Sequence, residues 1–380
     1  MGAKRVLPEK DNPAAQKLSE YYATCPLAEV DRLAKEYGYA NRASFESNMF
    51  VQLGARRIRK GPEVKLDGGT VPPEPDPAIT LPPVALKHYA SSKRAKGDPE
   101  DQVILLGDHH DGEITPTYNP EVCAARTDKL FHSAMVITEL HRHMYSVDNL
   151  VIIMVGDMVH GENPRQGARI GTTACGALSQ VYELALPRLN NLICSFKENF
   201  KTVKIYGVPG NHGMVSRDAP ETSNWDIALY KALARERLPA GIEVYPPRDG
   251  DFQQIVNING FDFFCYHGSE IRMSNGVPYF AQTRKVMSWY VTFDRFPYAV
   301  QGHFHKDDYL RISARTKLFC NGALVSDDPY ALRVVGTSTI PTQCTFGVHA
   351  RHGVTWNYNL IVDDKYLPDR KEPITPTPGG

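Results

Sequence analysis

Five short polar segments, each directly after an apolar run, constrain this chain more than any other feature of its sequence. They contain Asp, Asn and His, whose side chains bind hard or borderline divalent cations. The apolar runs alternate with helical stretches, which predicts an α/β fold with a largely parallel sheet. The ends of its strands would then deliver the polar side chains to one edge, as a metal site requires. The segments are residues 107–110, 156–160, 210–213, 267–268 and 302–305.

The apolar runs and the stretches between them predict the regular elements. The strands are expected at 103–106, 150–155, 203–208, 261–266 and 298–300. The helices are expected at 126–144, 177–196 and 224–237, and Pro187 interrupts the second because proline removes a helical hydrogen bond. After residue 310 the chain is rich in β-forming residues.

The composition of the 380 residues excludes several classes of protein. With 42% hydrophobic and 23% charged residues, the chain has enough apolar mass for a globular core. No apolar stretch reaches the length of about 18 residues that a membrane span needs, and no signal-peptide core is present, so we expect a cytoplasmic protein without a membrane partner. The 43 basic and 43 acidic residues cancel, so any attraction to nucleic acid must come from local patches.

The seven cysteines are scattered and show no C-x-x-C spacing. This pattern favours reduced thiols over a disulfide framework or a zinc ribbon. Cys265 lies inside an apolar run, which predicts a core position.

Residues 1–60 are predicted to form a small helical domain. Apolar residues recur at helical spacing over 27–37 and again over 45–53, with Gly38 between the two stripes and Ser44 as a plausible N-cap. Two short helices joined in this way look like a helix-turn-helix. Four basic residues suited to phosphate contacts follow: Arg56, Arg57, Arg59 and Lys60. The domain is therefore expected either to bind DNA or to pack as a helical hairpin on the rest of the protein.

The rest of the chain divides by composition. Residues 61–99 are rich in proline and read as a linker, because they can sustain neither a long helix nor a central strand. Residues 100–363 hold all five polar segments and are predicted to be the catalytic domain. Residues 364–380 are predicted to be a flexible tail.

Together the five segments resemble the motifs of the calcineurin-like metallophosphoesterases, which read D-x-H, GD, GNH, H and GHxH. The resemblance extends from about residue 100 to 310, and all five parts are present. It implies a four-layer α-β-β-α sandwich and a two-metal phosphoesterase. A pair of cations about 3.5–4 Å apart generates hydroxide at neutral pH and neutralises the charge that develops on a phosphoric ester.

Transferred residue by residue, the resemblance implies seven metal ligands. Asp108, His110 and His305 would bind the first metal. Asn211, His267 and His303 would bind the second, and Asp157 would bridge the two. The Asp-x-His and His-x-His segments are predicted to be extended, so that alternate side chains point into one pocket and His109 points away.

His212 is not expected to be a ligand. Beside Asn211, it would stabilise the transition state and protonate the leaving oxygen, so His212 and Asp157 are the predicted catalytic residues. Gly213 departs from many relatives, which have Asp or Glu at this position. In this respect the chain is similar to phage-encoded metallophosphoesterases of the DNA exonuclease type, which implies a phage protein working in the bacterial host cytoplasm.

Two residues outside the ligand set are candidates for substrate binding. His160 completes a Gly-Asp-x-x-His pattern that resembles the nucleases that process double-strand breaks, although a supporting role behind the ligands is an equal alternative. Arg217 is the nearest arginine to the third segment and would contact a phosphate or lie in solvent. His141 and His143 do not share a helical face, so they are predicted to be solvent-side residues.

The sequence leaves three possible functions. A DNA nuclease acting by metal-activated hydroxide is the leading hypothesis, supported by the helical N-terminus and by the insert 161–175, where Arg165 and Arg169 could contact a backbone. The alternative is a phosphatase or phosphodiesterase of nucleotides or phosphoproteins, which suits the balanced charge. A non-catalytic binding module is disfavoured because every ligand position is filled. The two divalent ions are expected to be Mn²⁺, with Fe, Zn or Mg as alternatives.

Overall fold

The computed structural model describes residues 13–39, 42, 45, 49, 99–163, 168, 171–216, 218–272, 278–293, 295–326 and 340–367. The chain separates into two compact units, residues 1–78 and 79–380. The basic residues at 56–60, the linker up to residue 98, the arginines of the insert and the tail from residue 368 lie outside the described residues.

The described residues of the first unit are largely helical. Helix α1 covers Pro13–Thr24 and helix α2 covers Leu27–Glu36. The predicted helix over 27–37 is confirmed, whereas α1 was not predicted. Phe45 and Met49, from the second predicted stripe, are helical and fully buried. The ring of Phe45 lies within 6.0 Å of the Tyr22 ring, so these helices share an aromatic core.

The second unit contains eleven strands among its described residues. They are β1 Pro99–Leu106, β2 Ser146–Met154, β3 Thr202–Gly207, β4 Ile242–Tyr245, β5 Gln253–Ile258, β6 Phe261–Tyr266, β7 Tyr298–Gln301, β8 Tyr309–Arg311, β9 Lys317–Cys320, β10 Thr342–His349 and β11 Gly353–Ile361. They form a six-stranded sheet, in the order β11-β10-β1-β2-β3-β4, and a five-stranded sheet, in the order β5-β6-β7-β9-β8.

The centre of each sheet is parallel. In the first sheet β1 to β4 run parallel, and β10 and β11 extend it in antiparallel fashion. In the second sheet β6, β7 and β9 run parallel, with β5 and β8 antiparallel at the edges. All five predicted strands are present, and the β-rich region after residue 310 is confirmed.

Helices cover the sheets. They are α3 Pro120–Arg142, α4 Ala177–Ser179, a π-helical stretch Gln180–Ala185, α5 Leu186–Lys197, α6 Trp225–Leu233 and α7 Tyr279–Thr292, followed by a short 3₁₀ helix at Asp364–Tyr366. The π-helical stretch lies just before Pro187. Since proline lacks an N–H and its ring clashes with the carbonyl four residues earlier, the predicted interruption takes this form.

Side chains on each central strand alternate between two cores, as the two-residue period of a strand requires. Ile104 and Leu106 face α3 and α5, whereas Val103 and Leu105 face the second sheet. In the second sheet Phe263 faces the first, and its neighbour Phe264 faces α7. The order is therefore helix, sheet, sheet, helix, which confirms the predicted four-layer α-β-β-α sandwich.

The seven cysteines are all free thiols, and Cys265 is fully buried as predicted. Among the helices of the described residues, none combines the length and the apolar content that crossing a bilayer requires.

Candidate metal centre

The predicted ligands all lie on loops at the carboxyl ends of parallel strands. The loops after β1, β2 and β3 come from the first sheet, and those after β6 and β7 come from the second. Three of these loops approach one another closely at Gly156. A Cβ on this residue would lie only 2.7 Å from both the backbone N of Gly210 and Nδ1 of His267. Glycine at position 156 thus allows three of the five polar segments to meet.

The backbone at the site is left-handed, and this corrects the prediction of extended segments. Five predicted ligands have positive φ angles: Asp108 51°, His110 48°, Asp157 52°, His303 72° and His305 54°. The side chains of the Asp-x-His and His-x-His segments converge because of this left-handed conformation, and not because side chains alternate along an extended strand. Each such residue costs about 1–3 kcal/mol, and such strain is concentrated at functional sites.

The first predicted group is assembled in the structure. Asp108, His110 and His305 each place one ligand atom within 4.8 Å of the other two. The Nε2 atoms of His110 and His305 lie 3.2 Å apart, and Nε2 of His305 lies 3.4 Å from Oδ1 of Asp108. Burial, and then the nearby His212, hold the pKa of His110 well below its usual value. His110 is therefore a neutral imidazole with a lone pair available for a cation.

The second predicted group is equally close. Asp157, His267 and His303 also place ligand atoms within 4.8 Å of one another. Nε2 of His267 lies 2.9 Å from Oδ2 of Asp157 and 3.0 Å from Oδ1 of Asn211. Nδ1 of His267 lies 2.7 Å from the carbonyl oxygen of Val155, which fixes the ring and points Nε2 at the group.

Asp157 is the carboxylate of the second group. Its Oδ1 accepts the backbone N–H of His212 at 2.7 Å, and its Oδ2 faces His267. Burial alone would raise the pKa of Asp157, but the charge and the hydrogen bond of His267 lower it well below its usual value. The carboxylate is therefore ionised at neutral pH, as a metal ligand must be. The set of carboxylates, imidazoles and an amide oxygen suits a pair of borderline divalent cations.

Three histidines form a further cluster beside the first group. One ring nitrogen each of His110, His160 and His212 lies within 4.8 Å of the others. Both ring nitrogens of His160 are buried and make no well-directed hydrogen bond within the described part of the chain. Oε2 of Glu113 lies 3.2 Å from Nδ1 of His160 and 3.4 Å from Nδ1 of His110, distances of ion-pair contacts.

The loop that carries His160 is hydrogen-bonded to the first residue of the π-helical stretch. Gln180 accepts the backbone N–H of Gly161 at 2.8 Å, and its Nε2 donates to the carbonyl oxygens of Gly161 and Cys175. π-helical turns recur at functional sites, and this one turns a fully buried amide toward the residue after His160. Sequence reasoning found neither Gln180 nor Glu113, since neither belongs to a recognisable motif.

Gly213 has a structural explanation. A Cβ at this position would lie 2.4 Å from Oδ1 of Asn224, and Gly213 accepts the backbone N–H of Trp225 at 2.8 Å. The space next to Gly213 is occupied by Asn224, the N-cap of α6. His212 lies edge-on to His110, with ring centroids 4.3 Å apart.

The predictions for the remaining residues have three outcomes: one is untested, two agree with the structure and one does not. Arg217 lies outside the described residues. His109 is 3% exposed and belongs to neither ligand group, in agreement with the expectation that it points away. His143 is exposed as predicted, but the prediction for His141 was wrong. The His141 ring is half-buried and stacks on Trp356 at 4.0 Å, because β11 brings that indole under α3.

Comparison with known proteins gives the family. Residues 101–313, more than half of the chain, match the model of the calcineurin-like phosphoesterases. The chain belongs to this family. It is accordingly a metal-dependent phosphoric ester hydrolase, and the His and Asp clusters supply positions for the divalent metals that the family uses. No curated protein matches the chain.

Several solved structures are similar to this calcineurin-like phosphoesterase over about two thirds of its length. An archaeal phosphodiesterase shows 13% identity and a TM-score of 0.33 over 68% of this chain and 99% of that one. YfcE, a phosphoesterase from E. coli, shows 13% identity and a TM-score of 0.30 over 68% and 99%. Vacuolar Protein Sorting 29 from Cryptosporidium parvum shows 14% identity and a TM-score of 0.32 over 66% and 87%. Likeness at this level indicates no substrate.

Proposed function

We propose that this phosphoesterase is a two-metal phosphodiesterase that hydrolyses DNA. Asp108, His110 and His305 would hold the first metal. Asn211, His267 and His303 would hold the second, and Asp157 would serve both. When bound, two such ions lower the pKa of water and neutralise charge on the phosphate. Mn²⁺ is the proposed ion, since mixed Asp, Asn and His sites accept several metals.

The position of His212 is the observation that carries the proposal. Its backbone N–H is bonded to Asp157 at 2.7 Å, so its imidazole stands beside both ligand groups without belonging to either of them. Burial lowers the pKa of His212, which leaves one ring N–H as a donor at neutral pH. A donor fixed there can hydrogen-bond a phosphoryl oxygen or the leaving oxygen as negative charge develops on it.

His160 supplies a second imidazole at the same place. Its ring centroid lies 5.3 Å from that of His212, and its Nε2 is buried without a hydrogen bond in the described structure. Burying an unsatisfied polar group costs about 1–3 kcal/mol, so a bound phosphate oxygen is a natural partner for it. Two ring N–H donors suit the single negative charge of a phosphodiester.

DNA as the substrate is supported by the rest of the chain. The unit at residues 1–78 contains short helices around its own aromatic core, and basic residues follow those helices in the sequence. A cluster of basic residues is the electrostatic footprint of a segment that contacts nucleic acid. One observation favours the second candidate, a phosphatase or phosphodiesterase of nucleotides or phosphoproteins. The 43 basic and 43 acidic residues leave no surplus of positive charge.

A hydrolysis panel tests the proposal. Labelled single- and double-stranded DNA are compared with bis-p-nitrophenyl phosphate, p-nitrophenyl phosphate and cyclic nucleotides, with Mn²⁺ added or chelated. The His212→Ala variant is run beside His143→Ala, which removes an exposed histidine directly after α3 and serves as the matched control.

Each outcome decides between the candidates. DNA cleavage that needs Mn²⁺, is lost with His212→Ala and is retained with His143→Ala supports the nuclease. Turnover of the small esters without DNA cleavage overturns the nuclease and supports the second candidate. Equal activity of His212→Ala and the wild type on every substrate overturns the role given to His212.

A further inference from the structure

A carboxylate outside the five motifs connects two of them. Asp226, at the start of α6, is fully buried. Its Oδ2 accepts the backbone N–H of Asp157 at 2.9 Å and that of Gly210 at 2.8 Å, and its Oδ1 accepts the N–H of Met158 at 3.0 Å. One side chain thus bonds the loop after β2 and the loop after β3 together.

Asp226 is itself held rigidly. Oδ1 of Asn224, the N-cap of α6, accepts the N–H of Asp226 at 2.8 Å. Nδ2 of the same residue donates to the carbonyl oxygen of Gly210 at 2.8 Å. Farther along α6, the hydroxyl of Tyr230 donates to the carbonyl oxygen of Val208 at 3.1 Å. The helix start is therefore fixed against the same loop that Asp226 bonds.

The two loops that Asp226 bonds carry the proposed bridging ligand and a ligand of the second metal. Asp157 has the left-handed backbone conformation, which a non-glycine residue adopts only when its surroundings enforce it. Asn211 directly follows Gly210, where an added Cβ would lie 2.1 Å from Oδ1 of Asp157. The absence of a side chain at Gly210 allows the loops to approach until one carboxylate reaches both N–H groups.

We propose that Asp226 is a positioning residue that sets the spacing between Asp157 and Asn211 and so the affinity for the second metal. The inference rests on the ligand roles in the proposed function, but not on the identity of the substrate. Asp226 does not touch the metals or the ester. It acts through the three backbone N–H groups, which would otherwise be buried without acceptors in a strained turn.

The test uses the full-length chain with Asp226→Asn and Asp226→Ala. Asparagine keeps the size of the side chain and one acceptor oxygen, but it presents an NH₂ group to a backbone N–H. Tyr230→Phe is the matched control, because it removes one bond between the same helix and the loop after β3 but leaves the three bonds of Asp226 in place. Mn²⁺ stoichiometry and the two dissociation constants are measured by titration calorimetry. The spectrum of a coupled Mn²⁺ pair is recorded by electron paramagnetic resonance.

The second Mn²⁺ is expected to bind about 10- to 100-fold more weakly in Asp226→Asn, the range for groups that support metal ligands. The first Mn²⁺ should be retained, and the signal of the coupled pair should disappear at Mn²⁺ levels that saturate the wild type. Excess Mn²⁺ should restore the signal. Tyr230→Phe should lower the melting temperature while leaving both dissociation constants unchanged.

Two results would overturn the positioning role of Asp226 while leaving the proposed function intact. If Asp226→Asn binds two Mn²⁺ with wild-type constants, or if it matches Tyr230→Phe in losing only thermal stability, Asp226 merely anchors the helix. If Asp226→Ala fails to fold, the asparagine variant alone decides. A wild-type chain that binds no pair of Mn²⁺ ions instead overturns the two-metal site, and this inference with it.

Discussion

Nε2 of His267 lies 2.9 Å from Oδ2 of Asp157, and both side chains are buried. Burial alone would lower the pKa of His267, but the charge and hydrogen bond of Asp157 raise it to about 10. Without metal, the imidazole therefore carries two protons at pH 7. Since Nδ1 faces the carbonyl oxygen of Val155, the proton on Nε2 occupies the position that a cation would take.

Metal binding should therefore release a proton from His267. A metal ligand must be a neutral imidazole, so the affinity for the second metal should rise with pH until the pH approaches 10. Calorimetry at pH 7, in buffers that differ in ionisation enthalpy, would measure about one proton released as the second ion binds. A heat of binding that is the same in every buffer would contradict the prediction.

Asp157→Ala should abolish hydrolysis and weaken the binding of both metals, because Asp157 is the proposed bridging ligand. Metal catalysis contributes several kcal/mol, so turnover should fall by more than about 100-fold. Metal content and steady-state kinetics would be measured on the same sample. Retention of two tightly bound ions by Asp157→Ala would rule out the bridging role.

His212→Ala should lower turnover by about 10²- to 10⁴-fold, the range for a lost acid–base group. Metal stoichiometry should stay at two, since His212 belongs to neither ligand group. Its nitrogen does lie within 4.8 Å of those of His110 and His160, so the metal count is the critical reading. Loss of an ion with His212→Ala would make His212 a ligand.

Much of the fold follows from the sequence because its signals are local. Alternating apolar runs predict the central strands, and Asn224 stands at the N-cap of the helix predicted to begin there. Helix α7 was not predicted, although Gln282, Val286 and Trp289 lie at helical spacing and are buried. A glutamine at the first of these positions conceals the apolar stripe.

The candidate site is less fully predictable from the sequence. Its motif residues are recognisable, but non-glycine residues give no sign of the left-handed backbone at Asp108 or His303. Asp226 bonds Asp157 across 69 positions of sequence, and Glu113 approaches His160 through a fold-dependent contact. These partners depend on how separate loops meet, which no local pattern encodes.

Arg126 provides the last prediction, which concerns stability. This guanidinium is 2% exposed; it donates to Oδ2 of Asp363 at 2.8 Å, to Ser326 and to the carbonyl oxygen of Leu324. Leu324 in turn donates its N–H to the carbonyl oxygen of Asp108 at 3.0 Å. Asp363→Asn should lower the free energy of unfolding by roughly 1.5–3 kcal/mol at pH 7, the range for hydrogen bonds to charged groups.

The pH dependence follows from the direction of the pKa shift. Burial would raise the pKa of Asp363, but the hydrogen bonds from Arg126 lower it overall. A lowered carboxyl pKa stabilises the fold above the unfolded-state value of about 4 and loses that effect as the pH falls through the folded-state value. The difference between wild type and Asp363→Asn should therefore be constant near neutrality and shrink below about pH 4.

Asp364→Asn is the matched control, because its carboxylate is exposed and pairs with the exposed Lys129. An exposed pair of this kind contributes about 0–1 kcal/mol. Urea unfolding followed by tryptophan fluorescence suits the measurement, since Trp225, Trp289 and Trp356 all lie in the larger unit. Equal losses of stability for the two variants at pH 7 would show that the bond between Arg126 and Asp363 does not stabilise this unit.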